Sequence, residues 1–382
     1  MTTNTKPNPI WNKLPRLVIN NYEFNHDKSL IVFATNTGYR VVDTINNTIV
    51  SKVDDVQEMI GPLSKASVLY NSQFICFLGK EDNFSFPRNQ LVFWDESKRR
   101  KLGMLMLKEN IDTFYLTRNV VIVVTNIKIL LFELIGLKFI SKIDNVLCEE
   151  SLISIMNKNP MTIGYISTDI KTLNIITMIK FKIDTKKGVV QSRNKIGVIT
   201  QFEKIKHIQF PENNDEVIIC VSQYENKLHV YSTFDNILLY CVFLGQMMMT
   251  ISNIFIDSKI KFLIFELDND EVHLYKLKGN KAKFACGCKE HSDTEIRKRR
   301  KDSKNSFFGG LITKMFTDSN VAHLTFELTQ GHKEVKVIRI DNNDKECLII
   351  GDSDGVLRKI KFDRKKEMTI KEQREIKLFE YE

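Results

Sequence analysis

The chain is short of the residues that loosen or break structure. Its 382 residues include 7 prolines and 16 glycines, with no tract of either, which excludes a collagen-like, low-complexity or linker-rich build. No stretch reaches the roughly 18 to 20 uninterrupted apolar residues of a membrane-spanning helix. The first sixteen residues, MTTNTKPNPIWNKLPR, place Pro and Asn where a secretory signal needs an apolar run, and read as a polar, disordered tail. Catalytic motifs are missing as well: there is no Gly-rich phosphate loop, no H-E-x-x-H, no G-x-S-x-G and no matched nucleophile and base. A non-enzymatic chain without a cofactor is expected. The seven cysteines, an odd number, are scattered singly except for Cys286 and Cys288. Strand-like positions such as Cys76, Cys220 and Cys347 suit reduced, buried thiols of a cytosolic protein better than a disulfide framework. Cys286, Cys288 and His291 give three ligands where tetrahedral zinc wants four, so no metal is expected.

What is present is apolar and basic. Hydrophobic residues make up 43% of the chain and aromatics 10%, enough to bury a sizeable core. The net charge of +9 points to an acidic partner such as an anionic membrane surface or nucleic acid. Its distribution matters more, because Lys278 to Lys304 holds ten Lys/Arg against four Asp/Glu, a balance of +6 out of the +9.

From residue 17 the pattern is short apolar runs separated by polar turns. VINNYEFN, LIVFAT, GYRVVDT and NTIVSKV make one set of four strands. ASVLYN, FICFLG, QLVFWD and KLGMLML make a second, and IDTFYLT, NVVIVVT, KILLFELI and LKFISKI a third. A blurred fourth runs from Leu147 to Ile199. A fifth and sixth meet at Val242-Phe243-Leu244-Gly245, and a seventh is expected from NVAHLTFEL, VKVIRID, CLIIGD and GVLRKIKFD. Third strands end near Asp43, Asp95, Glu133, Ser232 and Lys276, mostly about 40 to 50 residues apart, the period of a propeller blade. Asp43, Asp95 and Asp352 then fall at strand ends, as turn formers. The spacing predicts an all-β fold, a single seven-bladed β-propeller of four-stranded antiparallel blades over 17–366, with six or eight blades or a pair of β-sandwiches as alternatives. A long basic loop over 278–317 and a charged tail over 367–382 complete the expected organisation.

The motifs bear a family resemblance. YEFNHDKSLIVFATNTGYRVVD resembles the opening blade of the PROPPINs, WD-repeat-like phosphoinositide-binding propellers of autophagy, in its FN-x-D-x-S core and following G-F/Y-R-I/V strand. FLGKEDNFSFPRNQLVFWD resembles their second blade, IDTFYLTRNVVIVV with KILLFEL their third, and IIGDSDGVLRKIKFD the closing one. The resemblance spans about residues 17 to 363. It implies a seven-bladed propeller at a membrane, with two phosphoinositide pockets either side of a Phe-Arg-Arg-Gly motif between blades five and six.

That motif aligns with Val242, Phe243, Leu244 and Gly245, so both arginines are replaced. In the first pocket the family's histidine falls on Gln201, its serine on Ser222 and its threonine on Asn226, none of which carries charge. In the second, the family's threonine falls near Glu271, flanked by Asp268 and Asp270, which repel phosphate. Losing two charge-assisted contacts of roughly 1.5 to 3 kcal/mol each weakens binding on the order of a hundredfold or more. Specific binding of phosphatidylinositol 3-phosphate or 3,5-bisphosphate is therefore expected to be weak or lost. In an alternative register Lys204, Lys206 and His207 rebuild a different site, although a structural role is the plainer expectation for His207.

In the layout that the resemblance implies, the loop after the third strand of blade six dips into the bilayer. Arg297, Lys298, Arg299, Arg300 and Lys301, then Phe307, Phe308, Leu311, Ile312, Met315 and Phe316, suit that use. A solvated loop and ordinary blade packing are the plain alternatives, and the basic run also fits a loose nuclear-import or nucleic-acid pattern, without the aromatic platform that bases require. Blades two and three commonly hold protein partners in the family. Arg88, Lys98, Arg99, Arg100 and Arg118 lie there, with a solvated face as the alternative for each. The expected protein is a monomeric, cytoplasmic scaffold, peripherally bound to autophagic, endosomal or vacuolar membranes, that recruits autophagy-type protein partners. A soluble WD-repeat-like interaction scaffold with no lipid binding is the competing expectation.

Overall fold

The computed structural model describes residues 17–27, 29–46, 48–54, 60–157, 160–172, 174–184, 189–200, 204–211, 214, 216–222, 227–234, 236–243, 251–256, 262–267, 271–276, 323–327, 335–341, 347–352, 356–362 and 370–377. Beyond residue 238 it describes backbone pairing and a single side chain, Ile254. Among these residues, 28 strands form seven four-stranded antiparallel sheets, each built from strands consecutive in the chain.

Sheet one holds β1 (Ile19–Phe24), β2 (Leu30–Thr35), β3 (Gly38–Asp43) and β4 (Thr48–Asp54). Sheet two holds β5 (Leu63–Val68), β6 (Phe74–Gly79), β7 (Gln90–Asp95) and β8 (Arg100–Met106). Sheet three holds β9 (Thr113–Leu116), β10 (Val120–Val124), β11 (Lys128–Glu133) and β12 (Phe139–Asp144). Sheet four holds β13 (Ile153–Met156), β14 (Met161–Ile166), β15 (Ile175–Asp184) and β16 (Val189–Ile199). Sheet five holds β17 (Ile205–Gln209), β18 (Val217–Ser222), β19 (Lys227–Ser232) and β20 (Leu238–Phe243). Sheet six holds β21 (Ile251–Ile256), β22 (Phe262–Leu267), β23 (Glu271–Lys276) and β24 (His323–Glu327). Sheet seven holds β25 (Val335–Asp341), β26 (Cys347–Asp352), β27 (Val356–Phe362) and β28 (Ile370–Lys377).

Second strands such as β2, β10, β14 and β18 are buried at every position. They read as unbroken apolar runs because both faces are covered, so alternation gives way to continuous hydrophobicity. Alternate side chains serve different cores. In β6, Ile75 and Phe77 join Val32, Tyr39 and Val41 of sheet one, while Cys76 and Leu78 join Phe114, Val121 and Val123 of sheet three. In β10, Val121 and Val123 face sheet two and Val120, Ile122 and Val124 face Ile163, Ile179 and Phe181 of sheet four. A sheet sandwiched between two neighbours by side-chain parity is the packing unit of a propeller, and it leaves no broad sheet face in water. On the other side of sheet one, Ile31, Phe33 and Val42 form a separate cluster, and β1 lies against β25 of the last sheet.

The repeat is also written in the ladders. The pairing of third with fourth strand shifts register at Val41/Val42, Phe93/Trp94, Leu131/Phe132, Lys182/Ile183, Val230/Tyr231 and Lys361/Phe362. First strands carry a second shift, leaving Asn20, Ser64, Lys206, Ser252 and Lys336 as the extra residue. Bulges add twist and redirect side chains. Because every sheet is an up-and-down meander, the turns after first and third strands emerge on one face of the molecule, hereafter face I, and the other turns on face II.

The all-β propeller of four-stranded antiparallel blades agrees with the strand spacing, and third strands end at Asp43, Asp95, Glu133, Ser232 and Lys276 as expected. Two boundaries differ. NVAHLTFEL does not open the seventh sheet: His323–Glu327 pairs with β23 and closes sheet six. The charged segment 367–382 is not only a tail, because Ile370–Lys377 pairs along β27 as the outer strand of sheet seven. Residues 1–16 and the basic loop over 278–317 lie outside the described residues. Cys76 and Cys220 are buried and not disulfide-bonded, and Cys148 is half-buried, its thiol pushed up to about 12 by burial; Cys347 is described only as backbone.

Candidate functional site

Val242 and Phe243, which the resemblance aligns with the family's Phe-Arg-Arg-Gly motif, lie at the end of sheet five on face II. Here Ile205 pairs with Ser222, Val221 with Leu228, Leu228 with Val242, and Lys227 with Phe243. Val242 and Phe243 thus end the outermost strand. Ser222 ends the second strand and is buried. Lys206 is the bulge residue of the innermost strand β17, His207 pairs with Val221 and is buried, and Lys204 and Lys206 are half-buried. Strands lie about 4.8 Å apart, so β17 and β20 are separated by about 14 Å. The structure therefore brings Lys204 and Lys206 beside Ser222 on the inner half of the sheet and leaves Val242 and Phe243 on the outer half. Lys227 stands opposite Phe243, a neighbour that only the ladder register reveals. Leu244, Gly245, Gln201 and Asn226 lie outside the described residues, as do Arg297, Lys298, Arg299, Arg300, Lys301, Phe307, Phe308 and Leu311, between β23 and β24.

The basic residues of sheets two and three divide into two kinds. Arg88 is tied into the fold: its Nε donates to the Ile111 carbonyl at 3.1 Å and its NH1 to Glu81 Oε1 at 2.9 Å, with NH2 3.9 Å from Asp112. Burial raises the Asp112 pKa, and Arg88 opposes that rise. Arg99 adopts a left-handed φ of 48° and reaches back to sheet one, where NH1 donates to the Lys52 carbonyl at 3.1 Å. Its NH2 lies 3.2 Å from Glu96 Oε1. For these two the solvated-face alternative does not apply. Lys98, Arg100 and Arg118 are exposed.

Glu96 is 8% exposed and receives hydrogen bonds from the Tyr39 hydroxyl and the Ser51 hydroxyl of sheet one. Together with Arg99 they satisfy a carboxylate that burial alone would penalise. A second interior charge, Lys65 of β5, is 6% exposed. Its Nζ donates to Thr113 Oγ1 at 3.0 Å, sits 4.5 Å from the Tyr115 ring centre and lies 3.8 Å from Glu23 Oε2. The inner strands of the first three sheets are thereby joined through one cation, a geometry worth more in a desolvated setting than at the surface.

Asp43 and Asp95 form turns, as their positions at strand ends suggested. Asp43 Oδ1 accepts the N–H groups of Ile45 and Asn46 at 2.7 and 2.9 Å. Asp95 Oδ1 accepts the Ser97 hydroxyl at 2.6 Å, and that bond holds the Asp95 carboxyl below its ordinary range. Among the described residues no group of three or more His, Cys, Asp or Glu is placed to hold a metal ion, and no helix is long and apolar enough to cross a membrane. Cys286, Cys288 and His291 lie outside them.

No family model matches the chain. Among solved structures it is similar to Hsv2 of Kluyveromyces marxianus, at 13% identity and a TM-score of 0.66, covering 95% of this chain and 99% of that one. Hsv2 of Kluyveromyces lactis with its complete loop 6CD matches at 14% identity and a TM-score of 0.68 over 94% of this chain and 99% of that one. KlAtg21, solved in complex with the coiled coil of AgAtg16, matches at 15% identity and a TM-score of 0.62, again over 94% and 99%. Hsv2 and Atg21 are PROPPINs, and the chain has the fold of these propellers, so the resemblance carried by its sequence motifs holds at the level of the fold.

Proposed function

We propose that the chain is a non-enzymatic, PROPPIN-like scaffold that holds protein partners at autophagic, endosomal or vacuolar membranes, with specific phosphoinositide recognition weak or absent. The observation that carries this reading is the combination of a PROPPIN fold along nearly the whole chain with Val242-Phe243-Leu244-Gly245 where the family's Phe-Arg-Arg-Gly motif falls. A phosphomonoester needs a guanidinium fork and several donors. At the outer end of sheet five the described cation is Lys227, a point charge, and Lys204 and Lys206 are carried on the inner half.

KlAtg21 was solved with the coiled coil of AgAtg16, which supports a partner-holding role here. Exposed Arg100 and Arg118 suit an acidic partner segment on blades two and three. On the same strand as Arg100, β8 exposes Leu102, Met104 and Met106, an apolar row that supplies the contact area charges alone do not give.

The test is co-flotation of the purified protein with vesicles carrying phosphatidylinositol 3-phosphate or 3,5-bisphosphate, against phosphatidylserine vesicles of equal charge. No preference for either phosphoinositide is expected. A preference at physiological salt would overturn the loss of the pockets and direct mutation to Lys204 and Lys206. Deleting residues 280–312 releases a membrane scaffold from membranes in cells and leaves a purely soluble scaffold where it was.

A further inference from the structure

We propose that the outer edge of sheet four is a docking edge for an extended acidic segment of a partner protein, which pairs along β16 as a fifth strand and sets its acidic positions opposite Arg193 and Lys195. This surface is separate from the one read on sheets two and three, and it needs no membrane.

Sheet four departs from the repeat in length. Its third and fourth strands, β15 and β16, run 10 and 11 residues, whereas the fourth strands of the other sheets run 5 to 8. The ladder between β14 and β15 stops at Phe181, while the ladder between β15 and β16 continues to the pair of Asp184 with Val189. The two strands therefore outrun their sheet as a ribbon. β16 is the last strand in the order β13-β14-β15-β16, so no strand among the described residues pairs with its outer side. At about 3.4 Å per residue, that edge offers roughly 35 Å of backbone N–H and C=O groups.

A long edge is a template for another strand, and proteins blunt it by shortening it or by placing Pro or charge on it. β16 is not short and holds no Pro; it carries charge of one sign. Lys195 pairs with Ile179 and Arg193 with Phe181. Ile179 and Phe181 belong to the core shared with sheet three, so the two cations take successive positions on that face of the strand. Ser192 and Asn194, paired with Lys182 and Lys180, take the other face, and Lys182 is exposed. In sequence, residues 180–195 hold six Lys/Arg against one Asp. Together with the excess of Lys278 to Lys304 this exceeds the whole net charge of +9, so the rest of the chain is net negative and the basic ribbon is a local feature.

Charge selects the strand that the edge accepts. A second copy added antiparallel about Asn194 brings Arg193 opposite Lys195, and like charges directly opposite one another destabilise a strand pair. A strand with carboxylates at alternate positions meets both cations, while its backbone gains the ladder bonds that give affinity in β-strand addition. A nucleic acid would use the charge and leave the ladder unpaired, so the open edge favours a peptide.

The test is fluorescence anisotropy of a labelled nine-residue peptide alternating Glu with Val, titrated with the full chain. This peptide is expected to bind at least tenfold more tightly than the same peptide with Lys in place of Glu. It is also expected to bind at least tenfold more tightly than a version whose three central amides are N-methylated, which keeps the charge and removes ladder donors. Arg193→Glu with Lys195→Glu is expected to reverse the preference in favour of the Lys peptide, a gain that misfolding does not produce. Equal binding of the Glu peptide by this variant and wild type would overturn the assignment to β16 and send the peptide to exposed Arg100 and Arg118, leaving the scaffold reading intact. An N-methylated peptide that binds as well as its parent would show attraction by charge without an added strand, which also overturns the proposal. Tighter binding of single-stranded DNA than of the Glu peptide, lost in the same variant, would make the ribbon a nucleic-acid contact instead. No binding of the Glu peptide to wild type would reduce the cations to a guard against strand pairing and end the proposal.

Discussion

His26 in the first turn of sheet one lies flat on Tyr70 in the first turn of sheet two, with ring centroids 4.1 Å apart and planes 13° from parallel. Its Nδ1 accepts the Tyr70 N–H at 3.3 Å, and Asn25 Nδ2 donates to the Tyr70 carbonyl at 3.0 Å. Tyr70 itself holds a left-handed φ of 51°, a conformation that a bulky residue keeps only when its surroundings enforce it. Part of the FN-x-D-x-S motif that marks the opening blade thus acts as a staple between blades. The His26 ring also bonds the backbone of Leu116, the last residue of β9, so the first three sheets meet at one imidazole.

That staple needs a neutral ring. Burial lowers the His26 pKa below the ordinary 6.5, against the opposing effects of the Leu116 bond and Asp27. Above pH 6.5 the ring is neutral in folded and unfolded chains alike, and the staple is intact. As pH falls below 6.5 the unfolded chain takes up a proton that the folded chain resists, so stability declines until the lowered folded value is passed. The melting temperature is therefore expected to be lower at pH 5.5 than at pH 7.5, and the difference smaller in His26→Gln. Scanning calorimetry of both proteins checks this, and an equal pH response in the variant would remove His26 as the cause.

The buried Glu96 carboxylate is expected to be worth more than the arginine beside it. Glu96→Ala strands the Tyr39 and Ser51 hydroxyls at the junction of sheets one and two, a loss of roughly 2 to 4 kcal/mol. Arg99→Ala removes a side chain that is 43% exposed and leaves the carboxylate its two hydroxyl donors, so its loss is expected to be smaller, about 1 to 2 kcal/mol. Urea unfolding of the two variants gives the comparison directly. Equal losses would mean that the ion pair, and not the two hydroxyls, holds the carboxylate in place.

These clamps show where the sequence is readable and where it is not. Runs such as LIVFAT and VVIVVT announce buried strands, and Asp43 and Asp95 announce the turns that follow them, because both signals are local. Arg88 and Arg99 read as surface charges because their partners, Ile111 and Lys52, are distant in sequence. The strand β24 reads as the start of a new blade because the chain runs from Lys276 to His323 before rejoining β23. IKEQREIK reads as a tail because an outer strand, paired along one edge only, tolerates charge that an inner strand does not. At the end of sheet five, Val-Phe-Leu-Gly aligns by resemblance with the family's motif, whereas the bulge at Lys206 and the pairing of Lys227 with Phe243 depend on ladder register.

The second blade contains a position that admits glycine alone. A Cβ on Gly79 would lie 1.7 Å from the Phe86 carbonyl oxygen, backbone that cannot swing aside as a side chain can. Phe86 is fixed in turn by its N–H on Asn83 Oδ1 at 2.8 Å, while Asn83 Nδ2 donates to the Ile60 and Pro62 carbonyls at 2.7 and 2.9 Å. Gly79→Ala is expected to displace the whole 80–89 loop and to cost more than Asn83→Ala, which forfeits three hydrogen bonds, roughly 2 to 3 kcal/mol. Thermal unfolding ranks the two. A Gly79→Ala protein as stable as wild type would show that the loop has room to move away.

Restoring the arginines tests the account of the lost pockets most directly. Phe243→Arg with Leu244→Arg rebuilds the family's Phe-Arg-Arg-Gly positions at the outer end of sheet five, where Phe243 already stands across the ladder from Lys227. If missing charge is the reason for weak binding, the double variant gains a preference for phosphatidylinositol 3-phosphate vesicles over phosphatidylserine vesicles of equal charge. Two fully recovered charge-assisted contacts would be worth on the order of a hundredfold or more. The expected gain is smaller, because Glu271, which opens β23, falls where the resemblance sets the second pocket, and a carboxylate there opposes a phosphate. Adding Glu271→Thr is therefore expected to raise the preference further. A double variant that binds both vesicle types more tightly but equally would show that the arginines supply charge without a pocket, and that the neutral residues around Ser222 no longer shape one.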